Sequence, residues 1–522
     1  MLSTPIIVGL FAIWFCFLLL SYKGQPKGLW TLALANTGER FGYYTMLAVF
    51  VLFLHDNFGF DSGWASETFS NFLFVVYLLP LFGGMLADKY GYSKMVVLGI
   101  MVMFIGYLIL SIPLGKATPA IIAMAAGLLL VSLGTGLFKG NLQVMVGDLY
   151  NAPEFADKRD SGFSLFYMAI NIGALFAPTA AISIMNWAQT SLGYSKADSY
   201  HFAFAVACVS VIASILIYYL GKKTFAHVIG TTKKADKAVE TQEAEVPAEN
   251  DTKERIVCLC LVFAVVIFFW MAFHQNGLTL TWFADEYTAT TSTGIESMMF
   301  DVRNLLALIF IVYGLFGIFQ SKGLPRFLAA IMIVAGAIFL YNMVPAAGVE
   351  TAISAPIFQH FNPCFVVILT PVSVALFGWL ASKGKEPKAP VKIGLGMLVA
   401  ACAYLWLTVD SVGLPAADPV NHIHQANVGP SLLVRTYLIL TFAELLLSPI
   451  GISFVTKVSP VKYKGMMMGG WFVATAIGNK LVSIPGHMWG MDLTIVWGTL
   501  MAICLLAAIF IFSIIKKLNK VA

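Results

Sequence analysis

Long apolar stretches separated by short polar segments run along almost the whole chain. A helix rises 1.5 Å per residue, so about 20 apolar residues are enough to cross a bilayer. By this criterion we predict fifteen membrane-spanning helices, at about residues 3–21, 28–54, 64–87, 92–113, 118–146, 161–186, 200–220, 256–284, 302–320, 326–345, 357–381, 391–409, 432–456, 465–486 and 493–515. The pattern therefore predicts an all-α polytopic membrane protein.

The composition supports this interpretation. The 522 residues are 59% hydrophobic and 11% charged, whereas soluble domains average about 25% charged residues. A nucleic-acid partner would require a basic patch with exposed aromatic residues, and the sequence shows none. The lipid bilayer is the large partner that the composition predicts.

Cysteine usage gives no sign of a disulfide framework or a metal site. The seven cysteines all lie in apolar spans, and an odd, scattered set is unlike a secreted disulfide scaffold. They are interpreted as small buried apolar residues. Because no His, Asp and Glu cluster has the spacing of metal ligands or of a catalytic triad, we predict no cofactor, no metal and no enzymatic activity.

Lysine and arginine positions orient the predicted spans. With an external N-terminus, three of the 32 Lys and Arg are external and four lie within spans, which leaves 25 in cytoplasmic segments. The external residues are Lys116, Lys196 and Arg303, and those within spans are Arg40, Lys139, Arg435 and Lys480. This asymmetry follows the positive-inside rule along the whole chain.

The one long polar segment, residues 221–255, is rich in Lys, Glu, Ala and Thr and is predicted to be a cytoplasmic linker. It divides the chain into two halves, as in transporters built from repeated bundles. We predict an extra N-terminal helix at 1–22, a six-helix bundle at 23–220, and a second at 256–522 with an inserted hairpin at 302–345. The first span lacks a basic n-region and a cleavage pattern, so we expect a retained helix.

Charged residues inside the spans are the strongest functional signal. The segment "NTGERFGYYTML" at 36–47 places Glu39 and Arg40 side by side near the middle of a span, and a charge there costs at least ~2.5–3.5 kcal/mol. Helical spacing puts Asn36, Glu39, Tyr43 and Leu47 on one face and Arg40 and Tyr44 on the next. Such charges usually face a cavity used by substrate or protons.

Other spans carry polar residues at similar depth. Lys139 and Glu444 are charged, and Asn171 lies near the middle of its span, while His274 and Gln275 lie in the outer half of theirs. One interpretation is a set of structural ion pairs between helices. The other is a binding cavity, in which Arg40 and Lys139 hold a carboxylate and Glu444 holds an ammonium group.

Tyr43, Tyr44 and Tyr77 fit either ordinary packing or a pocket wall, because tyrosine is apolar in its body and polar at its tip. Since the two signs of charge come from opposite halves of the chain, a zwitterionic ligand would bridge the halves, as alternating access requires.

Several motifs in order resemble the proton-coupled oligopeptide transporter family of the major facilitator superfamily. "ERFGYY" is similar to most of the family's E-x-x-E-R-F-x-Y-Y signature, and "GGMLADKYGYSK" to the inner-loop motif of the superfamily. "GQPKGL", "GTGLFKGN", "FYMAINIGALFAP", "FWMAFHQNG" and "ELLLSPIGISFVTKVSP" resemble further family motifs. The likeness covers about residues 24–515 and implies the major facilitator fold of two six-helix bundles.

The resemblance implies that the protein imports di- and tripeptides and that a proton gradient drives the import. It also implies a multi-pass protein of the cell membrane, which in a bacterium is the inner membrane. A monomer would suffice for this activity. Arg40 and Lys139 would bind the peptide carboxylate, and Glu444 and Asn171 the amine. Asn362 would contact the peptide backbone, and four aromatic residues would line side-chain pockets: Tyr43, Tyr44, Tyr77 and Trp471.

Three positions depart from the family pattern. Asn36 stands where the signature has its first Glu, Leu47 where it has Arg, and His274 where a Glu is expected. The last two form an outer gate in the family, so we predict Leu47, His274 and Gln275 as gate residues. Glu39, His274 and Glu444 remain the candidates for proton coupling, and the unperturbed pKa of histidine near 6.5 suits that role.

Alternative functions are a carrier of another small solute, such as nitrate, and a nutrient sensor with little transport. Glu444 favours a ligand with an amine over an anion. The sequence shows no signalling domain that would favour a sensor.

Overall fold

The computed structural model describes residues 3–21, 23–229, 249–460 and 463–521. Its α-helices are α1 (Ser3–Ser21), α2 (Lys27–Phe58), α3 (Ser62–Tyr90), α4 (Tyr92–Leu110), α5 (Thr118–Asp148), α6 (Arg159–Leu192), α7 (Lys196–Leu220), α8 (Glu249–Phe273), α9 (Thr279–Glu286), α10 (Val302–Gln320), α11 (Leu324–Met343), α12 (Phe361–Ser382), α13 (Ala389–Asp410), α14 (Ser431–Val458), α15 (Lys464–Leu481), α16 (Ser483–His487), α17 (Leu493–Ser513) and α18 (Ile515–Val521).

Each of the fifteen predicted spans coincides with one of these helices or with two consecutive ones. Among the described residues, twelve helical segments are long and apolar enough to cross a membrane. The predicted spans outside this set are α1, α2 and α15; α2 carries Glu39 and Arg40 among its apolar residues. The prediction of an all-α polytopic membrane protein is confirmed.

The predicted span at 256–284 is not one continuous helix. Helix α8 ends at Phe273, a 3₁₀ turn follows at His274–Gly277, and the next helix is α9. Gln275 is fully buried and stabilises the break, because its side-chain amide donates to the carbonyls of Met271 and Val482 at 3.0 and 3.1 Å. Irregular backbone at membrane depth occurs where such partners satisfy it.

Two sets of helices build the two halves. In the first, α2 packs against α6 and α7, and α4 packs against α5; in the second, α13 packs against α14 and α17. The predicted linker falls mostly outside the described residues, at 230–248. The proposed domain limits therefore stay predictions.

The N-terminal helix α1 packs against the hairpin of α10 and α11, which are the predicted extra helix and the predicted insertion. Trp14 of α1 is 3% exposed and its ring lies 5.7 Å from Phe310 and 5.9 Å from Tyr313 of α10. The hairpin helices α10 and α11 pack on each other, and α10 also packs on α12. Two short strands flank the hairpin in the chain and pair antiparallel: β1 (Thr291–Ser292) before α10 and β2 (Thr351–Ala352) after α11.

The orientation in the membrane is testable. We expect the N-terminus to be external and the loop between α10 and α11, which contains Lys322, to be cytoplasmic, because this arrangement leaves most Lys and Arg inside. Single cysteines introduced at Ser3 and Ser321 should react with a membrane-impermeant maleimide from outside and inside, respectively. External labelling at position 321 would contradict the fifteen-span arrangement.

A candidate binding pocket between the two halves

A cavity of about 280 Å³ lies between helices of both halves. Helices α2, α3, α5 and α6 contribute one wall and α8, α12, α14 and α15 the other. Its polar lining residues include Arg40, Tyr43, Tyr44, Tyr77, Lys139, Tyr167, Asn171, His274, Asn276, Gln359, Asn362, Glu444 and Thr475. Charged groups of opposite sign thus face one enclosed space.

Arg40 reaches this cavity from α2 with its charge already balanced. Its Nε and one terminal nitrogen donate to the two Glu39 oxygens at 2.5 and 2.6 Å. Glu39 is 0% exposed and Arg40 is 4% exposed. Glu39 therefore lies behind Arg40 rather than on the cavity wall, and Arg40 keeps its remaining N–H groups for a ligand. The guanidinium also lies 4.8 Å from the centre of the Tyr43 ring.

Lys139 is positioned by a close contact between α3 and α5. A Cβ added at Gly83 would lie 2.1 Å from the Gly136 carbonyl oxygen, so the two backbones touch at a distance that only glycine permits. This approach sets the Lys139 ammonium 4.4 Å from the centre of the Tyr77 ring. Lys139 forms no ion pair with an acid among the described residues, so its charge is available to a ligand.

Glu444 on α14 is held by Asn362 on α12. Asn362 Nδ2 donates to Glu444 Oε2 at 2.9 Å and to Thr441 Oγ1 at 3.0 Å. Glu444 is 8% exposed and, within the described chain, forms no ion pair with a basic residue. A buried carboxylate without a cationic partner fits a site whose cation arrives with the ligand.

Asn171 on α6 lies on the opposite wall. Its Nδ2 donates to the Tyr167 carbonyl of its own helix at 3.0 Å, which orients the amide. The side-chain oxygen of such an amide remains an acceptor for an amine.

Trp471 forms part of the wall through a contact with a glycine. A Cβ added at Gly451 would lie 2.2 Å from the Trp471 ring, so the absence of a side chain at 451 lets the indole pack against α14. Tyr43 and Tyr44 pack edge to face with ring centres 5.3 Å apart. Aromatic walls of this kind accept side chains of different shapes.

His274 lies at the break between α8 and α9 and lines the cavity. Its ring stacks on Trp270 at 5.0 Å, and its Nδ1 lies 2.5 Å from Asn479 Oδ1 of α15. Because an amide oxygen only accepts, Nδ1 donates the hydrogen and Nε2 is the position that can gain a proton. Leu47 also lines the cavity and is apolar, so it forms no ion pair with His274.

The structure brings most of the predicted site residues together. All nine predicted substrate-binding residues line the cavity, as do the predicted gate residues Leu47 and His274. Glu39 and Gln275 do not line it; Glu39 pairs with Arg40, and Gln275 stabilises the helix break. Residues that sequence reasoning missed include Tyr167, Gln359 and Thr475.

A sequence profile of the POT family matches residues 93–242 and 332–488, more than half of the chain. The chain belongs to the POT family. Its members are transporters, so this POT protein is a membrane transporter and not an enzyme. The resemblance drawn from the motifs is therefore confirmed.

Curated relatives cover nearly the full length of the POT protein. It is 28% identical to the uncharacterized transporter YclF of Bacillus subtilis, with 96% of each chain covered. It is 27% identical to a di-/tripeptide transporter of Lactococcus lactis subsp. lactis, with 88% of this chain and 89% of the relative covered.

Solved structures share the fold. A crystal structure of the peptide transporter POT in complex with sulfate has a TM-score of 0.72 and 24% identity, with 96% of each chain covered. A POT family transporter in complex with 5-aminolevulinic acid has a TM-score of 0.70 and 19% identity, with 95% of this chain and 97% of that chain covered. The predicted fold class is confirmed.

Proposed function

We propose that this transporter imports di- and tripeptides by proton symport. A cavity at mid-depth between its two halves would open alternately to the outside and to the inside of the membrane. The observation that carries the proposal is the charge arrangement of the cavity. Arg40 and Lys139 face it from the first half and Glu444 faces it from the second. A free peptide carries a carboxylate and an ammonium group and complements both walls.

The volume of about 280 Å³ supports a small ligand. It lies just below the ~300–1,000 Å³ usual for ligand pockets. The Glu39–Arg40 pair is neutral as a unit, so Lys139 and Glu444 are the charges that await partners. A zwitterion neutralises both, whereas nitrate would leave Glu444 as a buried charge without a partner. This comparison favours a peptide over the anion alternative.

Uptake of labelled dialanine by proteoliposomes tests the proposal. We expect accumulation when the outside is acidic and only equilibration without a pH gradient. Counterflow with internal unlabelled dialanine separates a transporter from a sensor, because a sensor would bind without exchange. Failure of dialanine to enter under either condition would contradict the proposal.

Lys139→Ala is expected to weaken dialanine binding by more than about tenfold, because a hydrogen bond to a charged group contributes about 1.5–3 kcal/mol. The concentration of dialanine that gives half-maximal uptake measures the effect. Lys322, which is exposed in the loop between α10 and α11 and lies outside the cavity, provides the matched control Lys322→Ala. Equal affinities of Lys139→Ala and the parent protein would remove Lys139 from the carboxylate site.

A further inference from the structure

The first and second halves touch through α3 and α15 on the predicted outer side. The Lys480 ammonium on α15 donates to the Glu67 carboxylate on α3, and it also donates to Asn71 Oδ1 at 2.7 Å. Glu67 and Asn71 are four residues apart and share one face of α3. His487 of α16 also lies near this pair, with its Nε2 3.8 Å from Glu67 Oε1.

Close backbone packing surrounds this ion pair. A Cβ added at Gly486 of α16 would lie 1.9 Å from Ser66 Oγ, and one added at Gly277 would lie 2.7 Å from the Phe69 ring. Both glycines belong to the second half, and both contacted residues lie on α3 within two residues of Glu67. The second half therefore packs closely against α3 around the contact between Glu67 and Lys480.

The same turn of α15 also contacts the binding cavity. Asn479 precedes Lys480, is fully buried, and accepts from the His274 ring at 2.5 Å. Two consecutive residues of α15 therefore make different contacts. Asn479 contacts the cavity residue His274, and Lys480 contacts α3 of the first half. The contact with α3 and the contact with the cavity histidine therefore lie within one turn of α15.

We propose that Lys480, Glu67 and Asn71 form the polar outer gate of this transporter. This gate closes the outer side of the cavity, and its opening admits substrate. It supplies the charged contact that Leu47 and His274 cannot make with each other. The inference rests on the proposed function only where peptide uptake serves as a readout.

The modest strength of the contact suits a gate. The Lys480 and Glu67 side chains are 37% and 36% exposed, so water screens their attraction. An exposed ion pair can be broken and remade in each transport cycle, whereas a deeply buried pair would hold one conformation too strongly. Its two hydrogen bonds to α3 fix which surfaces meet when the gate closes.

Charge reversal tests the gate. Glu67→Lys and Lys480→Glu each place like charges together, so we expect each to reduce dialanine uptake by about tenfold. The double variant restores opposite charges and should recover most of the uptake. The matched control is the pair of Glu254 on α8 and Lys520 on α18, whose charged atoms lie 3.1 Å apart and which does not involve α3. Single reversals there should change uptake less than about twofold.

A second measurement does not depend on the substrate. Leu47→Cys, on the cavity wall, is introduced into each variant and labelled from outside with an impermeant maleimide. We expect the single reversals to increase its labelling rate and the double variant to return it to the parent rate. Elution as a single peak from a sizing column identifies variants that remain folded.

The outcomes separate the two proposals. A parent protein that does not take up dialanine contradicts the proposed function, while the labelling rates still test the gate. Unchanged labelling in both single variants, or a double variant that behaves like the single ones in labelling and uptake, overturns the gate.

Discussion

Glu444→Gln is expected to abolish uptake of free dialanine while the protein stays folded. The neutral amide keeps the size of the side chain and still accepts from Asn362, which lies 2.9 Å from the carboxylate in the parent protein. It cannot balance the ammonium group of a bound peptide. Leaving one partner of a buried ion pair without the other costs about 3–5 kcal/mol, so binding should fall by more than about a hundredfold.

N-acetyl-dialanine provides the decisive comparison for Glu444→Gln. It has no ammonium group, so the parent protein should prefer free dialanine over the acetylated peptide, and the variant should lose this preference. Glu154→Gln, at an exposed position outside the cavity, is the control for the change from acid to amide. Normal dialanine uptake by Glu444→Gln would contradict the model of a zwitterion held at both ends.

The charged residues of the site could be predicted because charge is rare within apolar spans. Arg40, Lys139 and Glu444 stand out against their surroundings, and all three line the same cavity. Helical spacing was less accurate in choosing the face. Tyr43 and Leu47 line the cavity with Arg40, whereas Glu39, on their predicted face, turns toward Arg40 and away from the wall.

The helix break at His274 was not predicted because "FFWMAFHQNGLTLTWF" is apolar on both sides of it. Its stabilisation depends on Gln275 reaching the Val482 carbonyl, 207 residues away along the chain. Contacts between distant segments also explain the missed residues. Asn479 and Lys480 were visible as polar residues in an apolar stretch, but only the fold shows that one contacts His274 and the other Glu67.

The N-terminal helix illustrates the same limit. Its apolar composition predicts a span, but its sequence does not indicate which helix it contacts. The structure packs α1 against the inserted hairpin, where Phe17 lies against Gly317. Helix α1 and the hairpin of α10 and α11 therefore pack together, although they are almost 300 residues apart in sequence.

His274→Gln is expected to reduce proton-driven accumulation of dialanine while peptide counterflow persists. Glutamine retains polarity and approximate size, so it can still bond to Asn479, but it does not titrate. In the parent protein the His274 Nδ1 lies 2.5 Å from Asn479, which leaves Nε2 to gain or lose a proton beside the cavity. Counterflow requires binding and exchange but no net proton movement, so it should survive this change.

Two acids are the rival carriers of the proton, and they differ in their contacts. Glu39 forms two hydrogen bonds to Arg40, at 2.5 and 2.6 Å, so its protonation would release Arg40 toward the ligand. Glu444 has the Asn362 amide as its partner and would take a proton only when no ligand amine occupies the site. The change at position 274 leaves the contacts of both acids in place.

Accumulation measured across external pH values of about 5.5 to 7.5 distinguishes these carriers, because removal of the group that carries the proton should change the pH dependence of accumulation. His227→Gln, at an exposed position on the predicted inner side, is the matched control and should accumulate dialanine like the parent protein. If His274→Gln also keeps the parent pH profile, the proton belongs to Glu39 or Glu444. In that case His274 contributes to transport only through its contacts with Trp270 and Asn479.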